Sequence, residues 1–192
     1  MKLLKTIMLV VFMLFLTLAA PADEVKKSPA EEDKTEIKQA AMQALMMMDP
    51  EKSAARLESI LKETDDPKLA RMALILMAQQ HPDKAAPYLM DMARGKSHPH
   101  LQPFALLMLG QSDSDKAQAI VREVLFSDAR LGVRKAALVA LFQLPDNAGI
   151  PLLLKIAKDD ENVSLRKQAI VFLGLSKDPR AEKYLESLVN AE

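Results

Sequence analysis

The chain of 192 residues has no cysteine and no tryptophan, and only two tyrosines, three histidines and five glycines. Each shortage removes a class of answers. Without cysteine there is no disulfide framework, no thiolate zinc site and no cysteine nucleophile. A lipid anchor on an N-terminal cysteine is excluded for the same reason. Glycine is sparse, and no Gly-rich phosphate loop and no Gly-x-Ser-x-Gly elbow occurs. No segment shows the period-2 alternation of a strand. Charge of one sign is also lacking: 26 basic side chains meet 26 acidic ones. No part of the chain carries the basic stripe of a nucleic-acid-binding surface, so nucleic acid is not an expected partner.

One apolar run stands apart from the rest. Lys2 and Lys5 precede an unbroken apolar stretch from Ile7 to Leu16, and Ala20-Pro21-Ala22 follows with small-x-small spacing. This order of charge, apolar core and small residues is that of a secretory signal peptide, residues 1–22, cleaved after Ala22. The run is shorter than the ~20 residues of an ordinary membrane span, so no stable membrane insertion is expected after cleavage; an uncleaved anchor is the alternative. A bacterial periplasmic or secreted product is expected. Removing Lys2 and Lys5 leaves 24 basic against 26 acidic side chains. Residues 23–32 (DEVKKSPAEE) hold little apolar content and read as a disordered leader.

The remainder is governed by one register. Ala41, Ala73, Ala105, Ala137 and Ala169 stand 32 residues apart. At the same spacing run Ile37, Leu69, Leu101, Val133 and Leu165, then Met42, Leu74, Leu106, Leu138 and Ile170. Leu45, Met77, Leu109, Leu141 and Leu173 form another column, and Leu57, Leu89, Val121, Leu153 and Leu185 a further one. A fixed period of this length means stacked supersecondary units, none of which buries its apolar face alone. The units are residues 33–64, 65–96, 97–128, 129–160 and 161–192. Each reads as two helices, A and B, joined by turns rich in Pro, Asp and Ser, such as Asp49-Pro50, His81-Pro82 and Pro145-Asp146. In the fourth unit, helix A is Leu131 to Leu144 and helix B Ala148 to Lys158. Helix A is apolar nearly all round, hence buried on several sides; helix B is amphipathic. The repeated alanine suits the closest approach of neighbouring backbones.

The segment Asp128-Ala129-Arg130-Leu131-Gly132-Val133-Arg134-Lys135-Ala136-Ala137-Leu138 resembles the helix A signature of HEAT-like repeats, as does Asn162-Val163-Ser164-Leu165-Arg166-Lys167-Gln168-Ala169. The nearest variety is the short type first described in phycobilisome lyases. The resemblance implies an all-α, right-handed α-solenoid of five 32-residue helix-turn-helix repeats. It also implies that Arg134 and Arg166 pair with aspartates at the repeat boundary, such as Asp128 or Asp160, as a structural ladder.

Catalytic chemistry finds little support. By resemblance, a HEAT-like di-iron hydroxylase holds its metals with His-Glu pairs; His81, His98 and His100 all lie at turns and none precedes a glutamate. The chain is expected not to be an enzyme and to need no cofactor. Methionine is the unusual type: Met42, Met46, Met47 and Met48 cluster, with Met72, Met77, Met90, Met92 and Met108 beyond. Thioethers select Cu(I), so copper handling with help from His98 and His100 is the alternative function. Against it, Met42, Met77, Met92 and Met108 occupy core columns, where methionine fills irregular gaps.

Solenoids bind partners along their concave face. The solvent side of helix B reads Glu58, Met90, Arg122, Leu154 and Glu186 in one column and Lys62, Arg94, Phe126, Lys158 and Asn190 in the next. Tyr88, Met90, Phe126 and Leu154, ringed by Arg94, Arg122 and Lys158, suit an acidic, partly apolar protein or peptide. The competing account packs Met90, Phe126 and Leu154 against the adjacent helix B. Gln168, Glu182 and Lys183 replace apolar residues of earlier repeats, as a C-terminal cap would, and a monomer is expected.

Overall fold

Helix is the locally favoured state here. Ala, Leu, Met, Glu, Lys and Gln fill the periodic stretches, and these are the strongest helix formers. The computed structural model describes residues 29–48, 50–112, 114–127 and 129–190. The expected signal peptide, leader residues 23–28, Asp49, Asp113 and Asp128 lie outside the described residues. The chain divides into two units, Met1–Lys38 and Gln39–Glu192. Of the first, only the opening turns of helix α1 (Pro29–Met48) are described.

After α1 come α2 (Pro50–Glu63), α3 (Pro67–Gln80) and α4 (Pro82–Ala93). A 3-10 turn (Pro99–Leu101) leads into α5 (Gln102–Leu109), followed by α6 (Asp115–Leu125) and α7 (Leu131–Gln143). A second 3-10 turn (Pro145–Asn147) leads to α8 (Ile150–Asp159), then α9 (Val163–Ser176) and α10 (Pro179–Val189). Among the described residues every regular element is helical, and no helix is long and apolar enough to cross a membrane. Helix α1 begins at Pro29, so residues 29–32, read from sequence as leader, are helical. Proline fits the first helical position, where its missing N–H leaves no bond unmade.

The helix starts follow from capping chemistry. Asp66 Oδ1 accepts the Lys68 amide at 3.0 Å ahead of α3, and Asn162 Oδ1 accepts the Ser164 and Leu165 amides at 3.0 and 3.3 Å ahead of α9. Asp178 Oδ1 accepts the Arg180 amide at 2.9 Å ahead of α10. Each satisfies first-turn donors that otherwise have no intrahelical acceptor. Gly95, with φ +77°, follows the end of α4 in the left-handed region that glycine tolerates.

From α2 onward consecutive helices pack side by side, and α5 also packs on α7, α7 on α9, α4 on α6 and α8 on α10. Odd-numbered helices thus form one layer and even-numbered helices a second, in a solenoid-like stack. The repeat columns are its core. Ala73, Ala105, Ala137 and Ala169 are all fully buried, as are Leu74, Leu106 and Leu138, and Leu101, Val133 and Leu165 are close to it. Helix α1 departs from the pattern: Met42 is buried, but Ala41 and Ile37 are exposed.

Two glycines set the closest contacts. A Cβ on Gly110 would lie 2.6 Å from the Cα of Ala140, so α5 and α7 touch backbone to backbone. A Cβ on Gly149 would lie 2.0 Å from the carbonyl oxygen of Leu141. Helix α8 begins at Ile150 and not at Ala148 because Pro151, in its first turn, has no N–H to donate back to Asn147, and Asp146 and Asn147 adopt left-handed backbone. Residues 145–149 fold back over the end of α7, with Asp146 and Asn147 at φ 54° and 57°.

The arginine ladder is present in part. Arg134 Nε donates to the Leu125 carbonyl at 2.8 Å and its Nη2 to Asp160 Oδ2 at 2.6 Å. Arg166 Nη1 donates to the Asp160 carbonyl, not its carboxylate, at 2.8 Å. One repeat earlier than Arg134, Gln102 Nε2 donates to the Ala93 carbonyl at 3.0 Å. An amide thus does in that repeat what a guanidinium does in the next.

Candidate protein-binding surface

The even-numbered helices are laced together by side-chain contacts, one for each adjacent pair. Tyr88 on α4 donates to Glu58 Oε1 on α2 at 2.5 Å. Arg94, at the end of α4, donates through Nε and Nη2 to Glu123 Oε2 on α6, both at 3.2 Å. The Lys155 ammonium of α8 lies 5.3 Å from the ring centroid of Phe126 at the end of α6. The Lys158 ammonium lies 5.2 Å from the ring centroid of Tyr184 on α10. Two of them, Phe126 to Lys155 and Lys158 to Tyr184, run from the end of one helix to the middle of the next.

This geometry sorts the seven candidate residues. Tyr88, Met90 and Leu154 are half-buried and pack on the core. Phe126 is 48% exposed at the C-cap of α6, where the helix ends and covering mass runs out. Arg122 is exposed, and its Nη2 donates to Gln118 Oε1 at 3.2 Å. Arg94 is committed to Glu123, which neutralises part of the cationic ring expected there. Lys158 is exposed above Tyr184. Beside Phe126 the Lys155 ammonium supplies positive charge, with Arg122 one turn back on α6, while Arg94 and Glu123 balance each other.

Burial and the bond to Glu58 push the Tyr88 phenol up to about 12. The same bond, aided by Lys62, holds the Glu58 carboxyl below its usual range. Both shifts belong to a structural contact in which a neutral phenol donates to an ionised carboxylate. Shallow depressions flank the surface, one of about 590 Å³ lined by Glu58, Asp83, Lys84, Tyr88 and Asp91. Another, of about 460 Å³, is lined by Arg94, Gln102, Glu123, Ser127 and Arg130.

Reading columns straight down the repeats missed Glu123, Lys155 and Tyr184, which complete the cross-helix contacts. For Glu123 and Lys155 the signal was a diagonal offset of 29 residues, from Arg94 and from Phe126, in place of the repeat period. Of the methionines, Met42, Met77 and Met92 are buried and Met108 is packed against the core. These thioethers are spent on packing. The side chains of Met46 and Met48 lie outside the described residues. Among the described residues no cluster of three or more His, Asp or Glu groups suited to a metal ion occurs.

Comparison with protein-family models matches residues 55–141 to the family described as HEAT repeats. The match covers a little under half of the chain, and the stacked helical pairs fit a HEAT-like repeat there. The matched stretch includes residues 97–128 and stops before residue 161. Comparisons with curated proteins and with solved structures find no match.

Proposed function

We propose that this chain is an exported, non-catalytic scaffold that binds a protein or peptide on the even-numbered helices of a five-repeat, right-handed HEAT-like solenoid. HEAT repeats generally serve as protein-interaction scaffolds, which supports the class of function. The observation that carries the choice of face is Phe126: a large aromatic, 48% exposed, with Lys155 over its ring and Arg122 one turn back. Exposed aromatics beside cations are what interfaces favour. An acidic, partly apolar segment fits: an apolar side chain covers Phe126 while carboxylates meet Arg122, Lys155 and Lys158. The cross-helix contacts hold these groups in place before binding, so little ordering entropy is lost on association. Residues 1–22 act as the export signal, which places the partner in the periplasm or outside the cell.

The test is affinity capture from envelope extract with the processed protein, run beside an Arg122→Glu, Phe126→Ser variant. Both positions are exposed, so the variant retains a cooperative melt near the wild-type temperature. A partner retained by wild type and lost by the variant supports the reading. Equal capture by both moves the site off α6.

A further inference from the structure

The step from α6 to α8 differs in charge from the step before it. Arg94 and Glu123 stand 29 residues apart and form an ion pair at 3.2 Å between α4 and α6. One repeat on, the same two columns hold Phe126 and Lys155. The place of the cation has become an aromatic ring. The place of the carboxylate has become an ammonium, 5.3 Å from the ring centroid.

The second column shows what this exchange does. It reads Asp91, Glu123 and Lys155 on α4, α6 and α8. Both acids are met within the chain, Asp91 by Lys96 at 3.3 Å and Glu123 by Arg94. Among the described residues no carboxylate pairs with Lys155. The negative face of the Phe126 ring attracts the ammonium but carries no net charge. Lys155 is exposed, and an ammonium has three N–H donors, so a carboxylate can reach it while the ring stays in place. Phe126 itself is 48% exposed. An apolar surface and an uncompensated cation therefore lie side by side at this step, whereas the preceding step is closed by its own ion pair.

Taking the even-numbered helices as the binding face, we propose that Lys155 sets the charge the partner must carry. It receives one carboxylate of an acidic protein segment, supplying from outside the chain the acid that this step lacks. The adjoining apolar side chain of that segment lies on Phe126. At the preceding step Arg94 already holds Glu123, so the selecting contact is at α6–α8 and does not repeat along the stack.

The test is to pan a displayed library of random heptapeptides over the processed protein and three variants. These are Lys155→Glu, Phe126→Ser, and the double variant Phe126→Arg, Lys155→Glu, which rebuilds the Arg94–Glu123 pair at this step. Both positions are exposed, and a cooperative melt close to wild type shows that each variant folds. Wild type is expected to enrich peptides with Asp or Glu beside an apolar residue. Lys155→Glu is expected to enrich Lys or Arg in place of the acid, and the double variant to enrich neither. A synthetic copy of an enriched acidic peptide should bind Lys155→Gln about two- to fivefold more weakly than wild type, the scale of an exposed ion pair. Its affinity for that variant should also depend less on salt. Peptides that Phe126→Ser loses but that carry no excess of acid overturn the role of Lys155 and leave the binding face standing. So does an acidic preference that Lys155→Glu retains. Peptides that Phe126→Ser retains, or no enrichment by wild type, overturn the binding face and the role of Lys155 with it.

Discussion

Adding one methyl group at Gly110 should loosen the whole stack. The Cβ would fall 2.6 Å from both the Cα and the carbonyl oxygen of Ala140 and 2.8 Å from its Cβ. Ordinary carbon contacts are about 3.5–4.0 Å, so α5 and α7 must move apart by roughly 1 Å. Two of the three clashing atoms are backbone, which cannot rotate away. Overpacking of this kind costs about 1–3 kcal/mol. Exchanging glycine for alanine in helical backbone returns up to about 1 kcal/mol, and Gly110, at φ −63° and ψ −17°, has such backbone. The net expectation for Gly110→Ala is a loss of about 1–2 kcal/mol. In a protein of this size that lowers Tm by about 2–8 °C. Gly132 supplies the control: it lies in α7, and nothing stands within 4 Å of its missing Cβ. Gly132→Ala should stabilise by about 0.5–1 kcal/mol. Urea unfolding followed by circular dichroism, with Cm and m fitted for each variant, reads both effects. A neutral or stabilising Gly110→Ala would refute the backbone contact between α5 and α7.

Further predictions follow from the same geometry. Ala137→Leu should cost roughly 1–3 kcal/mol in urea unfolding, because Ala137 is fully enclosed between helices. Arg134→Leu removes the bonds to Leu125 and Asp160 and should lower stability by about 2 kcal/mol, the scale of a charge-assisted bond. The Asp178 carboxyl is held down at about 2, below the usual 3.8, by the Arg180 guanidinium and then its amide, against the opposing effect of burial. Its contribution to stability is therefore present above pH 3.8 and lost as pH falls toward 2. Acid unfolding of Asp178→Asn should lack that component. Absorbance titration should show Tyr88 ionising only near pH 12, and Glu58→Gln should bring it down toward the ordinary range. Because the folded phenol is raised, the matching stability is present below pH 10 and lost as pH rises through 12.

Much of the fold was legible because repetition multiplies a weak signal. A single Ala-Leu pair says little, but Ala73, Ala105, Ala137 and Ala169 in one column must share an environment, and all four are fully buried. The helix starts at Pro67 and Val163 were legible for a chemical reason: Asp66 and Asn162 are side chains that cap. What stayed hidden depends on a neighbour's backbone. Gly110 and Gly132 are the same residue in sequence, yet one is clamped against Ala140 and the other is open. The candidate surface was legible at Phe126 and less so at Arg94, because pairing with Glu123 runs diagonally between helices and no column of the repeat displays it.

The claim at the centre of this account is that the partner meets the even-numbered helices near Phe126. A photo-crosslinking phenylalanine analogue at position 126 tests it directly in intact cells, since the exposed ring is replaced by another aromatic. The control is the same analogue at Val163, which is 50% exposed on α9. The account predicts a discrete crosslinked product from position 126 that is absent from position 163. A product from position 163 with none from 126 would contradict it and place the binding surface on the odd-numbered helices.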